Sequence, residues 1–267
     1  MSAEASRLLR PTAAEIAALR ALIEGASALP SPDVPFAAPL VLFSRLDAPT
    51  RAALFAPRPG RVLIQEMLSI DAERPLAPDR EFRSDTRLTR PADGGGPIVV
   101  EARIATPEGE PIAAMKAGLG VVEATALARS TGLPPGRADA AASLRRALPP
   151  ISEASVARWL SLVGDDNPIH TDDALAAALG LAAPIVPGAL VAALIEPVIA
   201  ITGWAVRRLS MRFVAPIPVG TEISVAMVER GLAPDGARVL RVFVALADGR
   251  IAAVGDVSAA ASRSNCG

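Results

Sequence analysis

The chain contains a single histidine, His170, within the run Gly164-Asp165-Asp166-Asn167-Pro168-Ile169-His170. Imidazole is the side chain best matched to proton transfer near neutral pH, and a carboxylate, Asp165, precedes it by five residues. Asn167-Pro168 marks a turn between them, and the proline steers Asn167 away from helical backbone. A loop of this kind folds back so that Asp165 and His170 face one water molecule from two sides, an arrangement for general acid–base chemistry. The competing reading is a structural histidine beside a helix end; the carboxylate and the rigid turn favour the chemical one. One His and one Cys (Cys266) cannot build a His/Cys metal cluster, and no calcium-loop spacing occurs, so neither metal nor cofactor is expected.

The elements that must hold this loop follow from periodicity. Ser152 is a candidate N-cap for a helix whose face is Val156, Trp159, Leu160 and Val163. Thr171 or Asp172 can cap a short helix over Ala174–Leu179, which Gly180 ends. Gly188 to Ile201 is apolar all round except for Glu196, which predicts one long helix buried on every side. Strands are predicted at Val206–Val214, Glu222–Glu229, Arg238–Ala247 and Ile251–Val257. In the first half, Thr12 to Gly25 places Ile16, Leu19, Leu22 and Ile23 on one helical face with Gly25 as its stop. Ala37 to Phe55 contains a shorter helix. Strands are predicted at Arg61–Asp71, Arg80–Thr89, Pro97–Thr106 and Ile112–Glu123, with Pro75, Pro78, Gly94-Gly95-Gly96 and Glu108-Gly109 as turns. Ala124 to Pro150, rich in Ala, Arg, Gly and Pro, reads as a partly helical linker.

The halves echo each other. Met211–Pro218 resembles Leu68–Leu76, and Val242–Ala253 resembles Val100–Gly109 with Ile112-Ala113-Ala114 after a small insertion. Each half reads strand, Pro-containing turn, strand, loop, strand, Asp/Glu-Gly turn and strand, as a duplicated unit would. The division expected is 1–123, a linker over 124–150, and 151–267.

A length of 267 residues, half of them hydrophobic, supports a sizeable core. With 27 basic and 28 acidic residues the net charge is −1, so no field draws the chain to nucleic acid or an anionic membrane; aromatics are too sparse to interleave a basic patch. A lone cysteine forbids an internal disulfide and suits a reducing compartment. The N-terminus lacks a signal peptide's basic start and apolar middle, and the expectation is a cytoplasmic protein. From Ala174 to Val206 the only charge is Glu196, but Gly180, Pro184, Pro187 and Pro197 interrupt the run, which argues against a membrane span.

Leu162-Val163-Gly164-Asp165-x-Asn167-Pro168-x-His170, followed by an Ala-rich helix and a Gly-Ala-Leu segment, resembles the hydratase motif of the MaoC-like (R)-specific enoyl-CoA hydratases and dehydratases. The resemblance implies an α+β double hot-dog fold: two antiparallel sheets, each wrapping a central helix, joined into one extended sheet. It implies an acyl thioester of CoA or acyl carrier protein as substrate and makes Asp165 and His170 the catalytic pair. The first half has no His and cannot hold a second such site; in the family the degenerate half helps shape the acyl cavity. Hydration of a 2-enoyl thioester adds OH at C3 and a proton at C2, which requires an activated water and donors for the thioester oxygen. Gly188 is the candidate donor, its N–H lying at the start of the apolar helix, where the dipole favours negative charge.

Two positions depart from the family's pattern. Pro187-Gly188 stands where His-Gly is commoner, and Ala193 stands where some relatives have a substrate-contacting Ser. Pro187 and Ala193 are therefore taken, with Asn167, as substrate-binding positions, Asn167 also fixing the loop through side-chain-to-backbone bonds. Pro187-Gly188 is also similar to the beta-hydroxyacyl carrier-protein dehydratases, but their catalytic Glu position is Ala193 here, with Glu196 a turn further; Glu196 is read as bonding within the core or at the domain interface. Arg207, Arg208 and Arg212 are either solvated strand charges or contacts for CoA phosphates or an acidic carrier. The leading expectation is a hydro-lyase that hydrates 2-enoyl thioesters or dehydrates (R)-3-hydroxyacyl thioesters; the alternatives are a hot-dog thioesterase and a non-catalytic acyl-CoA-binding hot dog. A homodimer is expected.

Overall fold

The computed structural model describes residues 2–43, 45, 54, 60–91, 96–135 and 142–261. The turn expected at Gly94-Gly95, the end of the Ala37–Phe55 stretch and Cys266 lie outside the described residues.

The first half contains strands β1 (Ser2–Leu9), β2 (Arg61–Ala72), β3 (Phe82–Thr89), β4 (Ile98–Ala105) and β5 (Pro111–Glu123), with helices α1 (Ala13–Ser27) and α2 (Pro39–Phe43) between β1 and β2. A helix α3 (Ala124–Arg129) follows β5. The second half contains β6 (Leu144–Leu148), α4 (Glu153–Val163), a single 3-10 turn (Pro168–His170), α5 (Asp173–Ala178), α6 (Gly188–Ala193), α7 (Ile195–Ala200) and strands β7 (Trp204–Phe213), β8 (Ile223–Leu232), β9 (Arg238–Leu246) and β10 (Ile251–Ala261). The ten strands form one antiparallel sheet in the order β1-β3-β4-β5-β2-β7-β10-β9-β8-β6. Counted outward-in from either edge, both halves have the same order, so the halves meet back to back through β2 and β7. This is the double hot-dog α+β architecture. Strand β6 lies inside the stretch read as linker, and α3 makes that stretch partly helical.

The β2–β7 junction is short. It pairs Met67–Asp71 with Arg212–Arg208, and Ser69 faces Ser210 at its centre. On each side a bulge interrupts the ladder three residues before the central serine: Glu66 is unpaired against β5, and Arg207 is unpaired against β10. The two bulges are thus equivalent under the two-fold relation of the halves, and each bends its strand out of the junction.

One continuous apolar core fills the face that carries α1, α2, α4, α6 and α7. Along β4, Ile98, Val100, Ala102 and Ile104 alternate onto this face, as half-buried strand residues must. Ala102 and Ile104 join the main core, whereas Ile98 and Val100 join a separate cluster with Leu54, Leu63 and Leu88. Helix α1 is held by a capping box between Thr12 and Glu15. It runs past the expected stop at Gly25 to Ser27: burial of Ala26 and Ser27 outweighs the roughly 1 kcal/mol that glycine costs a helix interior. The turn into the left-handed region falls instead at Ala28, φ 54°.

The single long helix expected over Gly188–Ile201 is two helices, α6 and α7, meeting at Leu194. Pro197 has no N–H to give to the carbonyl of Ala193 and its ring crowds that carbonyl, so the ladder breaks there. Both pieces are buried as anticipated. No helix among the described residues is long and apolar enough to cross a membrane.

Glu196 of α7 ties the halves together. It is 6% exposed and accepts a hydrogen bond from the backbone N–H of Phe36 at 2.8 Å. Burial pushes its carboxyl up to about 7, opposed by the Phe36 bond. Below the ordinary value of 4.5 the group is protonated in both folded and unfolded chains and costs nothing. As pH rises toward 7 the unfolded chain releases its proton first, so stability falls; above about 7 the full penalty, about 3 kcal/mol, is present. Glu196→Gln keeps an acceptor for Phe36 without a charge. Urea denaturation is expected to find the variant more stable than wild type at about pH 8 and no more stable at about pH 4.5; an equal difference at both would refute the assignment.

Candidate active site

Helix α4 begins at the Ser152 cap and ends at Gly164, which takes φ 70° and sends its N–H back to Leu160. A left-handed residue at this position lets the chain reverse into the Asp165–His170 loop. Asp165 Oδ1 accepts from the N–H of Asn167 at 3.0 Å, and Asn167 Oδ1 accepts from the N–H of Ile169 at 3.3 Å. Asn167 Nδ2 donates to the carbonyl of Leu63 on β2 at 3.2 Å. That carbonyl lies beyond Met67, where β2 has already parted from β7, so the loop docks on the edge that the short junction leaves open. Ile169, 1% exposed, seals the contact with Val62 and Ile64 around it. Asp172 caps α5 through the N–H of Leu175.

His170 Nδ1 lies 2.7 Å from the carbonyl oxygen of Ile185. A carbonyl can only accept, so Nδ1 carries the proton and Nε2 is the lone-pair nitrogen of the neutral ring. Nε2 faces Asp165 Oδ2 at 3.8 Å, beyond direct hydrogen-bond range. The His170 side chain is 10% exposed and that of Asp165 26%. Burial lowers the His170 pKa from its ordinary value; the negative charge of Asp165 and the Ile185 carbonyl act against that shift. The ring is therefore biased toward the neutral form, with its basic nitrogen turned toward the carboxylate.

The pair opens into a cavity of about 750 Å³, within the range of small-ligand sites. Its lining includes the apolar side chains of Leu40, Phe43, Leu63, Trp159, Val163 and Val191, from both halves. Gln65, Asp165, Asn167, His170 and Gly188 also line it, as do Arg212 and Glu66. Gly188 is needed for close approach: a Cβ there would lie 2.8 Å from Gln65 Oε1 and 2.9 Å from the Phe213 ring. Among the described residues no group of three His, Cys, Asp or Glu converges as a metal site.

The structure brings Asp165, Asn167, His170, Pro187 and Gly188 together along this cavity. It does not bring Ala193 there: that residue is buried in the core at the end of α6, and Ala189 and Val191 present α6 to the cavity. Asn167 spends both ends of its amide on backbone groups, so it positions the loop. Arg208 pairs with Asp71 across the junction at 2.9 Å, Arg207 is the bulge residue, and Arg212 alone of the three borders the cavity. Sequence reasoning missed Gln65 and the Ile185 carbonyl. The first could have been noticed as the polar side chain that directly follows Val62-Leu63-Ile64 in β2; the second, a backbone atom, leaves no sequence signal.

Residues 139–243 match the family model of the MaoC like domain. No curated protein matches the sequence. Among solved structures, a MaoC-like dehydratase from Phytophthora capsici superposes with a TM-score of 0.71 at 16% identity, covering 99% of this chain and 97% of that one. HtdX from Mycobacterium tuberculosis gives 0.67 at 20% identity, covering 96% and 98%. An acyl-ACP thioesterase from Bacteroides thetaiotaomicron gives 0.59 at 9% identity, covering 96% and 98%. At such identities these likenesses speak for a double hot-dog fold over the whole chain and leave the reaction open. The sequence match is to a MaoC-like domain over residues 139–243 and does not extend to the first half of the chain.

Proposed function

We propose that the chain is a hydro-lyase that adds water to 2-enoyl thioesters and removes it from (R)-3-hydroxyacyl thioesters. In this reading residues 151–267 carry the chemistry and residues 1–123 shape the acyl cavity. The observation that carries it is the Asp165–His170 pair: two acceptors, a carboxylate oxygen and the Nε2 lone pair, 3.8 Å apart at the wall of a cavity with many apolar lining residues. Two facing acceptors call for a donor with two protons to give, and water is that donor.

In hydration, the water oxygen attacks C3 while His170 Nε2 takes its proton. The C2–C3 π pair moves toward the thioester carbonyl, whose oxygen gains negative charge and is met by the Gly188 N–H. The imidazolium, steadied by Asp165, returns the proton to C2 on the same face. The overall change is syn addition of water, and dehydration is the same path reversed. The lowered His170 pKa keeps the base unprotonated at neutral pH. The free acyl end lies against Leu40, Phe43 and Trp159, and the CoA or carrier end leaves past Arg212.

A thioesterase is the second reading, favoured by the fold shared with the acyl-ACP thioesterase. There the same water would attack the carbonyl carbon and release a thiol. Crotonyl-CoA separates the two: hydration bleaches the enoyl-thioester absorbance with no free thiol, whereas hydrolysis yields thiol. Asp165→Asn and His170→Ala are each expected to lower the hydration rate by about 10²–10⁴-fold; thiol release by wild type would sink the hydro-lyase reading.

The acid limb of kcat/KM is expected below about 6.5, the ordinary histidine value. In Asp165→Asn it is expected lower still, because the group that raises the His170 pKa is gone. An acid limb that stays put in this variant would mean that His170 is not the titrating base. For Gly188→Ala, the new methyl group must displace Gln65 and the Phe213 ring. The chain is expected to stay folded by circular dichroism while hydration falls about 10²-fold, the scale of a misplaced reacting group.

A further inference from the structure

A polar side chain from the first half of the chain lies at the centre of the candidate site. Asp165 and His170 Nε2 are acceptors, His170 Nδ1 is committed to Ile185, and the Asn167 amide is spent on Leu63 and Ile169. Arg212 and Ser210 alternate along β7 with buried Leu209 and Met211 and so face away from α6. Trp159, Ser210 and Arg212 also line the cavity, but the side chain beside Gly188 is that of Gln65. It lines the cavity, its amide lies against the Gly188 backbone, and it has no hydrogen-bond partner among the described residues. An amide that is open to the cavity and bonded to no other side chain is available to a ligand there.

The two-fold relation of the halves sharpens the point. Counting from the facing pair Ser69 and Ser210, the bulge residues Glu66 and Arg207 are equivalent, and so are the residues before them, Gln65 and Val206. Val206 is a core residue, 8% exposed. It occupies the position that would face an active site in the first half, where there is no histidine. The same backbone position thus holds an apolar side chain at the half-site without the dyad and an amide at the half-site that has it. The Glu66 bulge keeps Gln65 on the face of Leu63, toward α6, while Leu68 and Ile70 beyond it still point into the core.

We propose that Gln65 donates its side-chain N–H to the thioester carbonyl oxygen of the substrate, beside the Gly188 N–H, so that the half lacking the dyad completes the oxyanion site of the half that has it. This inference rests on the acyl-thioester reading above. It goes further by assigning the second donor and by making the active site a product of both halves.

The test compares two ligands that differ in that carbonyl: butyryl-CoA, a thioester, and S-butyl-CoA, the thioether without it. Binding is followed by the fluorescence of Trp159, which lines the cavity. Gln65→Leu is expected to weaken butyryl-CoA by about tenfold, the scale of one hydrogen bond, and to leave S-butyl-CoA within about twofold. Crotonyl-CoA hydration is expected to fall about 10²-fold, mostly in kcat, as when one oxyanion donor is removed. Gln65→Met, closer in shape, makes the same comparison should the Leu variant fail to fold. Equal weakening of both ligands, or of neither, would overturn the role of Gln65 while leaving the acyl-thioester reading intact. Failure of wild type to bind either ligand would overturn both.

Discussion

The active-site region depends on how soon β2 and β7 part company. Their shared ladder covers Met67–Asp71 and Arg212–Arg208 and then stops, because the bulges at Glu66 and Arg207 turn the two strands away from each other. Without the junction each five-strand sheet would present an unpaired edge; with a longer one there would be no gap to hold a ligand. The fork leaves the Leu63 carbonyl open to Asn167, makes room for the 3-10 turn against Val62 and Ile64, and brings Gln65 against Gly188.

From that fork the electrostatics follow. Ile185 fixes the proton of His170 on Nδ1, burial biases the ring toward neutrality, and the loop holds Asp165 opposite Nε2 at a distance that suits a shared donor better than a direct bond. None of these features resides in the dyad alone. The backbone carbonyls of Leu63 and Ile185 and the packing of Ile169 set the orientation of its two side chains, as second-layer groups commonly do around reacting residues. Glu196 performs a related service at a distance: it spends a buried carboxylate on the Phe36 N–H, joining a loop of one half to the buried helix of the other.

Duplication without identity explains why the halves are unequal. Their strand orders and bulges correspond, yet the first half places Gln65 where the second has Val206, and only the second has the histidine. The apolar lining of the cavity is shared, with Leu40, Phe43 and Leu63 from one half and Trp159, Val163 and Val191 from the other. One half has kept the residues that could do chemistry, and the other contributes a wall and an amide.

The sequence by itself determined the elements and the loop. Alternation marked eight of the strands to within a few residues because burial on one face is a local, period-two property; the edge strands β1 and β6, which are mostly exposed, were not read. Ser152 and Gly180 marked helix ends, and Asp172 was one of two caps read for α5, because capping is local chemistry; the Asp165–His170 run was legible because its spacing is contiguous. The run past Gly25 and the division of the apolar helix at Leu194 were not read: in the first case tertiary burial overrode propensity, and in the second one proline's geometry outweighed an apolar pattern that looked continuous. Only the tertiary structure decided the tautomer of His170, the exclusion of Ala193 from the cavity and the arrival of Gln65. Each depends on atoms brought together from distant parts of the chain, across a junction whose register no local pattern encodes.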